Sequence, residues 1–394
     1  MKLLSTLIFA ASLAGCASAP QAPLPPAQIL FADAAFKAPD DQVKPEEIFA
    51  LSPAMKEYAR KVRQTLQGRN AHEALFEALY RRDMLRLEYD SELTRTAAQA
   101  FEARSGNCLS LVIMTAAFAK ELDLTVQFQR ITTDETWSRS GTLYFASGHV
   151  NLMLGKGGFD NPNSYDRARF LTIDFLPPPD VERMERTPID ESTVVAMFMN
   201  NRAAEALVKG KVDNAYWWAR NAIAHEPGFM LAYNTLATIY QRHGDLAQSE
   251  RVLRFAHDRE PNSTVILSNL VEVLKADGKT EEAARLQAEL ARLEPYPPFY
   301  FFTQGQQAMQ EGDFRKARAL FAREVQRAPY YHEFHFWLAK AAFELGDLET
   351  ADKHMNLALS NSTTRNDSAI YAGKLASLRI YESRVRLRPE KYSN

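Results

Sequence analysis

Arg104-Ser105-Gly106-Asn107-Cys108-Leu109-Ser110 is the stretch from which the rest of the chain can be read. It puts a thiol where a Ser/Gly turn enters an apolar run from Leu109 to Ala119. Leu109, Val112, Ile113, Ala116 and Ala119 fall on one side of a helix in that run. Ser105 is the expected N-cap, which leaves Cys108 in the first helical turn. Unpaired backbone N–H groups and the positive end of the helix dipole favour a thiolate there, and the thiolate is the nucleophilic form. A free cysteine is otherwise a small buried hydrophobe, so the surrounding chain decides between the two readings.

Downstream, the hydrophobic period changes from 3.6 to 2. Leu124 to Ile131 reads as a strand. Thr142 to Phe145 reads as a second, preceded by a polar loop holding Trp137 and Ser138. In Gly148-His149-Val150-Asn151-Leu152-Met153-Leu154, the aliphatic residues alternate with His149, Asn151 and Met153, so His149 faces away from the aliphatic side. Leu171 to Leu176 is a short apolar strand with Asp174 in its middle, ended by Pro177-Pro178-Pro179. A buried carboxylate needs a partner, or it becomes neutral. A thiol at a helix start, an imidazole on a strand and a carboxylate on the next strand fit a nucleophile, a base and an orienter. Zinc is the other use of Cys, His and Asp, but no second His or Cys with ligand spacing accompanies them. No metal and no cofactor are expected. Upstream, helical patterns cover Pro45 to Leu66, a second stretch capped by Asn70 with Leu75 and Leu79 on one side, and Leu93 to Arg104.

Residues 93 to 178 resemble the transglutaminase-like branch of the papain-type cysteine superfamily, through Gly106-Asn107-Cys108, Gly148-His149-Val150 and Ile173-Asp174-Phe175 in that order. The wording around Cys108, Trp137-Ser138-Arg139 and His149-Val150-Asn151 also resembles bacterial lipoproteins that fuse such a domain to tetratricopeptide repeats. The resemblance implies an α+β transglutaminase-like, papain-like domain over 46–195. Cys108 would be its nucleophile, His149 its general base and acid, and Asp174 the group that holds the imidazole. Asn151 stands where the family has an aromatic residue, and Asp174-Phe175-Leu176-Pro177 lacks the family's Trp and Pro-Thr. Asn151 is on the face from which an oxyanion donor would reach. These departures leave the substrate open, and keep a catalytically silent scaffold as the second reading.

Gly210, Gly244, Gly278, Gly312 and Gly346 recur every 34 residues, as do Pro227, Pro261, Pro295 and Pro329. That period is similar to tetratricopeptide repeats, each a pair of antiparallel helices, and predicts an all-α superhelical solenoid of five repeats over 196–365. Ala215, Ser249, Ala283, Ala317 and Ala351 let the paired helices approach, with Leu253 and Phe321 filling the groove. A capping helix from Ser368 to about Arg384, carrying Ile370, Leu375, Leu378 and Ile380, and a tail complete residues 366–394. His225, His243, His257, His332, His335 and His354 read as ordinary repeat residues. The resemblance implies a protein or peptide partner on the concave face. Asn234, Arg242, Lys275, Phe299 and Phe302 are the candidate contacts, the last two from the aromatic run Tyr296-Pro297-Pro298-Phe299-Tyr300-Phe301-Phe302.

The N-terminus reads as a processing segment. Lys2 precedes the apolar run Leu3 to Leu13. Leu13-Ala14-Gly15-Cys16 resembles a bacterial lipobox, which implies a signal peptide over 1–15 and lipidation of Cys16. An ordinary signal peptide cut at Ala17-Ser18-Ala19 is the alternative. Ala17 after the cysteine favours the outer membrane, so the expected location is the cell envelope, facing the periplasm and held to the membrane through Cys16. Residues 16–45 are rich in Pro and Ala and read as a tether, although Ile29, Leu30, Phe31 and Phe36 mark a part that packs onto the body. With 47 basic and 49 acidic residues, no nucleic-acid partner is expected. Lipidation would use one of the two cysteines, leaving Cys108 as the single free thiol.

Overall fold

The computed structural model describes residues 27–40, 42–65, 70–81, 88–90, 93–132, 137–140, 143–146, 149–155, 170–175 and 185–386. Cys16 and the expected leader lie outside the described residues.

The expected helix from Pro45 to Leu66 is two helices, α1 (Pro45–Ile48) and α2 (Pro53–Gln64). Pro53 lacks an N–H and starts the second, and Ser52 caps it at Met55 N–H. α3 spans Ala71–Tyr80. The short β1 (Glu88–Tyr89) pairs in parallel with β2 (Ser105–Gly106), on either side of α4 (Ala97–Ala103). α5 (Cys108–Glu121) is buried along most of its length, as its uniformly apolar sequence requires.

A four-stranded antiparallel sheet follows, in the order β7 (Phe170–Ile173), β6 (His149–Gly155), β3 (Thr125–Thr132), β8 (Glu185–Ile189). Residues 137–146 depart from the expected loop and single strand: β4 (Trp137–Ser140) and β5 (Leu143–Ala146) form a hairpin. Strand β8 was not expected, because Arg186, Thr187 and Pro188 carry no alternating pattern. Pro188 is tolerated because, among the described residues, β8 is an edge strand that pairs only with β3.

α6 (Glu191–Val208) runs through the expected domain boundary at residue 195 and is the first repeat helix. Helix pairs α6/α7 (Val212–His225), α8 (Met230–His243)/α9 (Leu246–His257), α10 (Thr264–Ala276)/α11 (Thr280–Leu293), α12 (Tyr300–Gln310)/α13 (Phe314–Arg327) and α14 (His332–Glu344)/α15 (Leu348–Ser360) stack as five repeats. The five periodic glycines all have positive φ, between 72° and 93°, at the inter-helix turns. The small residues five positions later are fully buried. α16 (Arg365–Arg386) caps the solenoid through Tyr371, Leu375 and Leu378. Ile370 and Ile380, expected in that contact, are exposed, because the buried stripe runs through Tyr371 instead.

Residues 27–40 are the part of the tether that packs onto the body, through Leu30, Phe31 and Phe36, while Ile29 is exposed. Leu30 and Phe36 are buried, and Phe36 stacks on Tyr216 with ring centroids 3.9 Å apart. Side chains of the first repeats read the arm's backbone. Ala32 N–H donates to Tyr216 Oη (2.9 Å), Tyr240 Oη–H to Leu30 O (2.8 Å) and Trp217 Nε1–H to Lys37 O (2.6 Å). Arg220 holds both oxygens of Asp33. One continuous apolar core runs from this arm through α5 and the sheet to the third repeat.

Candidate active site

Asn107, rather than Ser105, is the N-cap of α5. Its Oδ1 accepts Ser110 N–H at 2.9 Å and Ser110 Oγ–H at 2.7 Å. Ser105 is instead part of β2. Cys108 is therefore the first helical residue, where backbone N–H groups have no intrahelical acceptor. The turn before it is tight: a Cβ on Gly106 would lie 2.7 Å from Ser110 Cβ, so only glycine fits there.

Strand register delivers the other two groups. Leu152 pairs with Ile173 across β6 and β7, so Asn151 lies opposite Asp174, one position past the end of β7 rather than mid-strand. His149 is two residues from Asn151 and shares its face. His149 Nδ1 is 3.3 Å from Cys108 Sγ, and His149 Nε2 is 2.6 Å from Asp174 Oδ1. The ring is used in the opposite sense to Ser-His-Asp proteases, where Nε2 faces the nucleophile. Asn151 Nδ2–H donates to Asp174 Oδ2 at 3.1 Å, so this side chain holds the carboxylate. Phe175 packs on Tyr80, whose hydroxyl meets Thr115 Oγ1 of α5 at 2.5 Å. The end of β7 is thereby pinned to the nucleophile's helix.

Burial alone pulls the His149 proton affinity down. The charge on Cys108 and the hydrogen bond to Asp174 outweigh it and push the pKa up to about 10. As a thiol, Cys108 donates to Val150 O at 3.1 Å. As a thiolate it pairs with the imidazolium. Proton exchange between sulfur and Nδ1, with Asp174 fixing the ring, is the chemistry this arrangement can perform. The sequence signal for Asn107 was present, since asparagine is among the best N-caps. None marked Asn151, because only the register brings it to Asp174.

The repeat candidates divide. Phe299 and Phe302 are not surface residues; they are 3% and 0% exposed. Phe299 has a left-handed backbone (φ 63°) at the start of α12, and its ring packs among Phe302, Tyr331 and Phe334. Tyr296 and Tyr300, 49% and 40% exposed, are the accessible aromatics of that run. A phenolic hydroxyl, absent from phenylalanine, was the signal that separates them. Asn234 Oδ1 accepts Asn269 Nδ2–H at 2.8 Å between neighbouring repeats. Arg242 is exposed, and exposed Lys275 bonds Glu272 and Gln287. His335 and His354 stack, with their Nδ1 atoms 2.9 Å apart.

A family model for the tetratricopeptide repeat matches residues 332–355. Among solved structures, the chain is similar to YrrB, "a TPR protein with an unusual peptide-binding site", at 16% identity over 46% of this chain and 92% of that one (TM-score 0.25). It is also similar to yeast Tom70 (13% identity, 48% of this chain and 40% of that one, TM-score 0.34). Pseudomonas aeruginosa pilF aligns at 17% identity over 50% of this chain and 88% of that one (TM-score 0.30). Curated proteins gave no match. The helix pairs from α6 to α15 repeat, every 34 residues, the two-helix unit of tetratricopeptide repeats that the family model matches at residues 332–355.

Proposed function

We propose that this chain is a cysteine-dependent acyl-transfer enzyme of transglutaminase-like type whose repeats recruit the protein it acts on. The observation that carries this reading is the line from Cys108 Sγ through His149 to Asp174, with contacts of 3.3 and 2.6 Å. Cys108 attacks an amide carbonyl while its proton passes to His149 Nδ1. The imidazolium then protonates the departing amine, and a thioester remains on Cys108. Water as acceptor makes the protein a protease or amidase; an amine makes it a transamidase. Backbone N–H groups at the start of α5 are the available donors for the oxyanion.

The lipobox-like Leu13-Ala14-Gly15-Cys16 supports anchoring of the protein in the bacterial envelope, in the outer membrane and facing the periplasm. Ten residues, 17–26, separate Cys16 from the arm that packs on the first repeats, and can span at most roughly 35 Å. The repeats would therefore work close to the membrane surface.

The test is iodoacetamide alkylation of Cys108, followed by mass spectrometry against pH, in the protein with and without His149→Ala. A thiol that reacts rapidly at neutral pH, and slows roughly 10²-fold without His149, is expected. Incorporation of a labelled primary amine into envelope proteins then separates transamidation from hydrolysis. A slow thiol indifferent to His149 would overturn the enzymatic reading in favour of a catalytically silent scaffold.

A further inference from the structure

Behind the nucleophile lies a chain of polar contacts that begins in the repeats. Glu205, on the first repeat helix α6, accepts Thr94 N–H at 2.6 Å through Oε1. Thr94 Oγ1 accepts Asn107 Nδ2–H at 2.8 Å. Asn107 Oδ1 takes Ser110 N–H and Ser110 Oγ–H, and Ser110 Oγ takes Arg95 N–H at 2.8 Å. Thr94 and Ser110 are fully buried, so water does not replace these bonds. The pattern is directional. Ser110 N–H requires an acceptor, so Oδ1 of Asn107 must face it and Nδ2 must face Thr94. A partner at Thr94 thus sets the orientation of the amide that caps the Cys108 helix. Glu205 reaches out of its own repeat to do this, although its other oxygen pairs within the helix with Arg202 (3.4 Å).

We propose that Glu205 is a positioning residue for Cys108, through which the first repeat helix sets the reactivity of the thiol. The inference rests on the active-site reading above. Anything that moves α6, a partner on the repeats included, acts on the cap of α5 through Thr94 and Asn107.

The experiment measures iodoacetamide alkylation of Cys108 against pH in the full chain. It compares wild type, His149→Ala, Glu205→Ala, Glu205→Gln, Thr94→Val and the Glu205→Ala/Thr94→Val pair, with thermal unfolding run alongside. Glu205→Ala and Thr94→Val are expected each to slow the reaction at pH 7 roughly fivefold, the scale of a lost N-cap. Both should displace the rate profile to higher pH, and the double variant should be no slower than either alone. Glu205→Gln keeps an oxygen for Thr94 N–H and is expected to restore the wild-type profile. A merely structural role would lower the unfolding midpoint and leave the profile in place. If Glu205→Ala does not fold, Thr94→Val, which keeps side-chain volume and backbone, decides. A folded Glu205→Ala or Thr94→Val protein with the wild-type profile overturns the inference while the His149 dependence stands. A wild-type thiol indifferent to His149 overturns both readings.

Discussion

His149 in the sheet domain and His335 in the last repeat are buried and His354 beside it is half-buried, yet their proton affinities diverge. Burial lowers all three. At His149 the charge of Cys108 and the carboxylate of Asp174 reverse the effect, and the pKa rises to about 10. At His354 burial is reinforced by the neighbouring imidazole of His335, and the pKa falls to about 4. The difference lies in what the fold brings beside the ring. In the repeat, the paired helix supplies another imidazole and the turn before α14 a backbone carbonyl, Pro329 O at 2.8 Å from His335 Nε2. In the sheet domain, two elements distant in sequence, the start of α5 and the end of β7, supply opposite charges. A buried histidine with no opposite charge beside it is a packing residue, whereas one between a thiol and a carboxylate is poised for proton transfer.

Three experiments bear on that contrast. The largest expected effect is on stability. Phe302→Ala removes a ring that is fully buried against Phe321, Phe334 and Trp337, and should cost about 3–5 kcal/mol by denaturant unfolding. Cys108 alkylation should be unchanged in the folded variant. A stable Phe302→Ala protein that had lost only a peptide ligand would return Phe302 to the binding face. Next is Asp174→Ala, expected to slow Cys108 alkylation at neutral pH on the order of 10²-fold, because nothing then fixes the ring. A loss confined to melting temperature would reduce the constellation to a packing motif.

The smallest effect is the pH response of stability, and its sign differs between the two regions. His149 binds its proton more tightly folded than unfolded. Its contribution is complete below about pH 6.5 and is lost as pH rises through about 10. His354 binds its proton less tightly when folded. Its contribution is complete above about pH 6.5 and is lost as pH falls through about 4. Melting curves of His149→Gln and His354→Gln, each subtracted from wild type, should therefore bend at opposite ends of the pH range. Two curves bending at the same end would erase the distinction.

Legibility followed the range of the interactions. Each repeat turn needs a positive φ, supplied by a glycine within its own 34 residues, so periodicity alone located the solenoid. Cys108, His149 and Asp174 were readable as residue types in order, because a helix start and two strand patterns are local features too. The errors cluster where a side chain's neighbour comes from elsewhere. The left-handed backbone at Phe299 turns its ring into the core. The register of β6 on β7 hands Asn151 to Asp174.

The amino-acid sequence by itself determined the repeat architecture, a helix with Cys108 in its first turn and the chemical identity of the three candidate groups. Local backbone preference and hydrophobic period act over a few residues and need no tertiary partner. Tertiary structure alone decided that sulfur, imidazole and carboxylate meet at bonding distance, that Asn151 serves the carboxylate, and that Glu205 of the first repeat backs the nucleophile's cap. Those contacts join elements separated by tens to more than a hundred residues, and only strand register and the shared core bring them together.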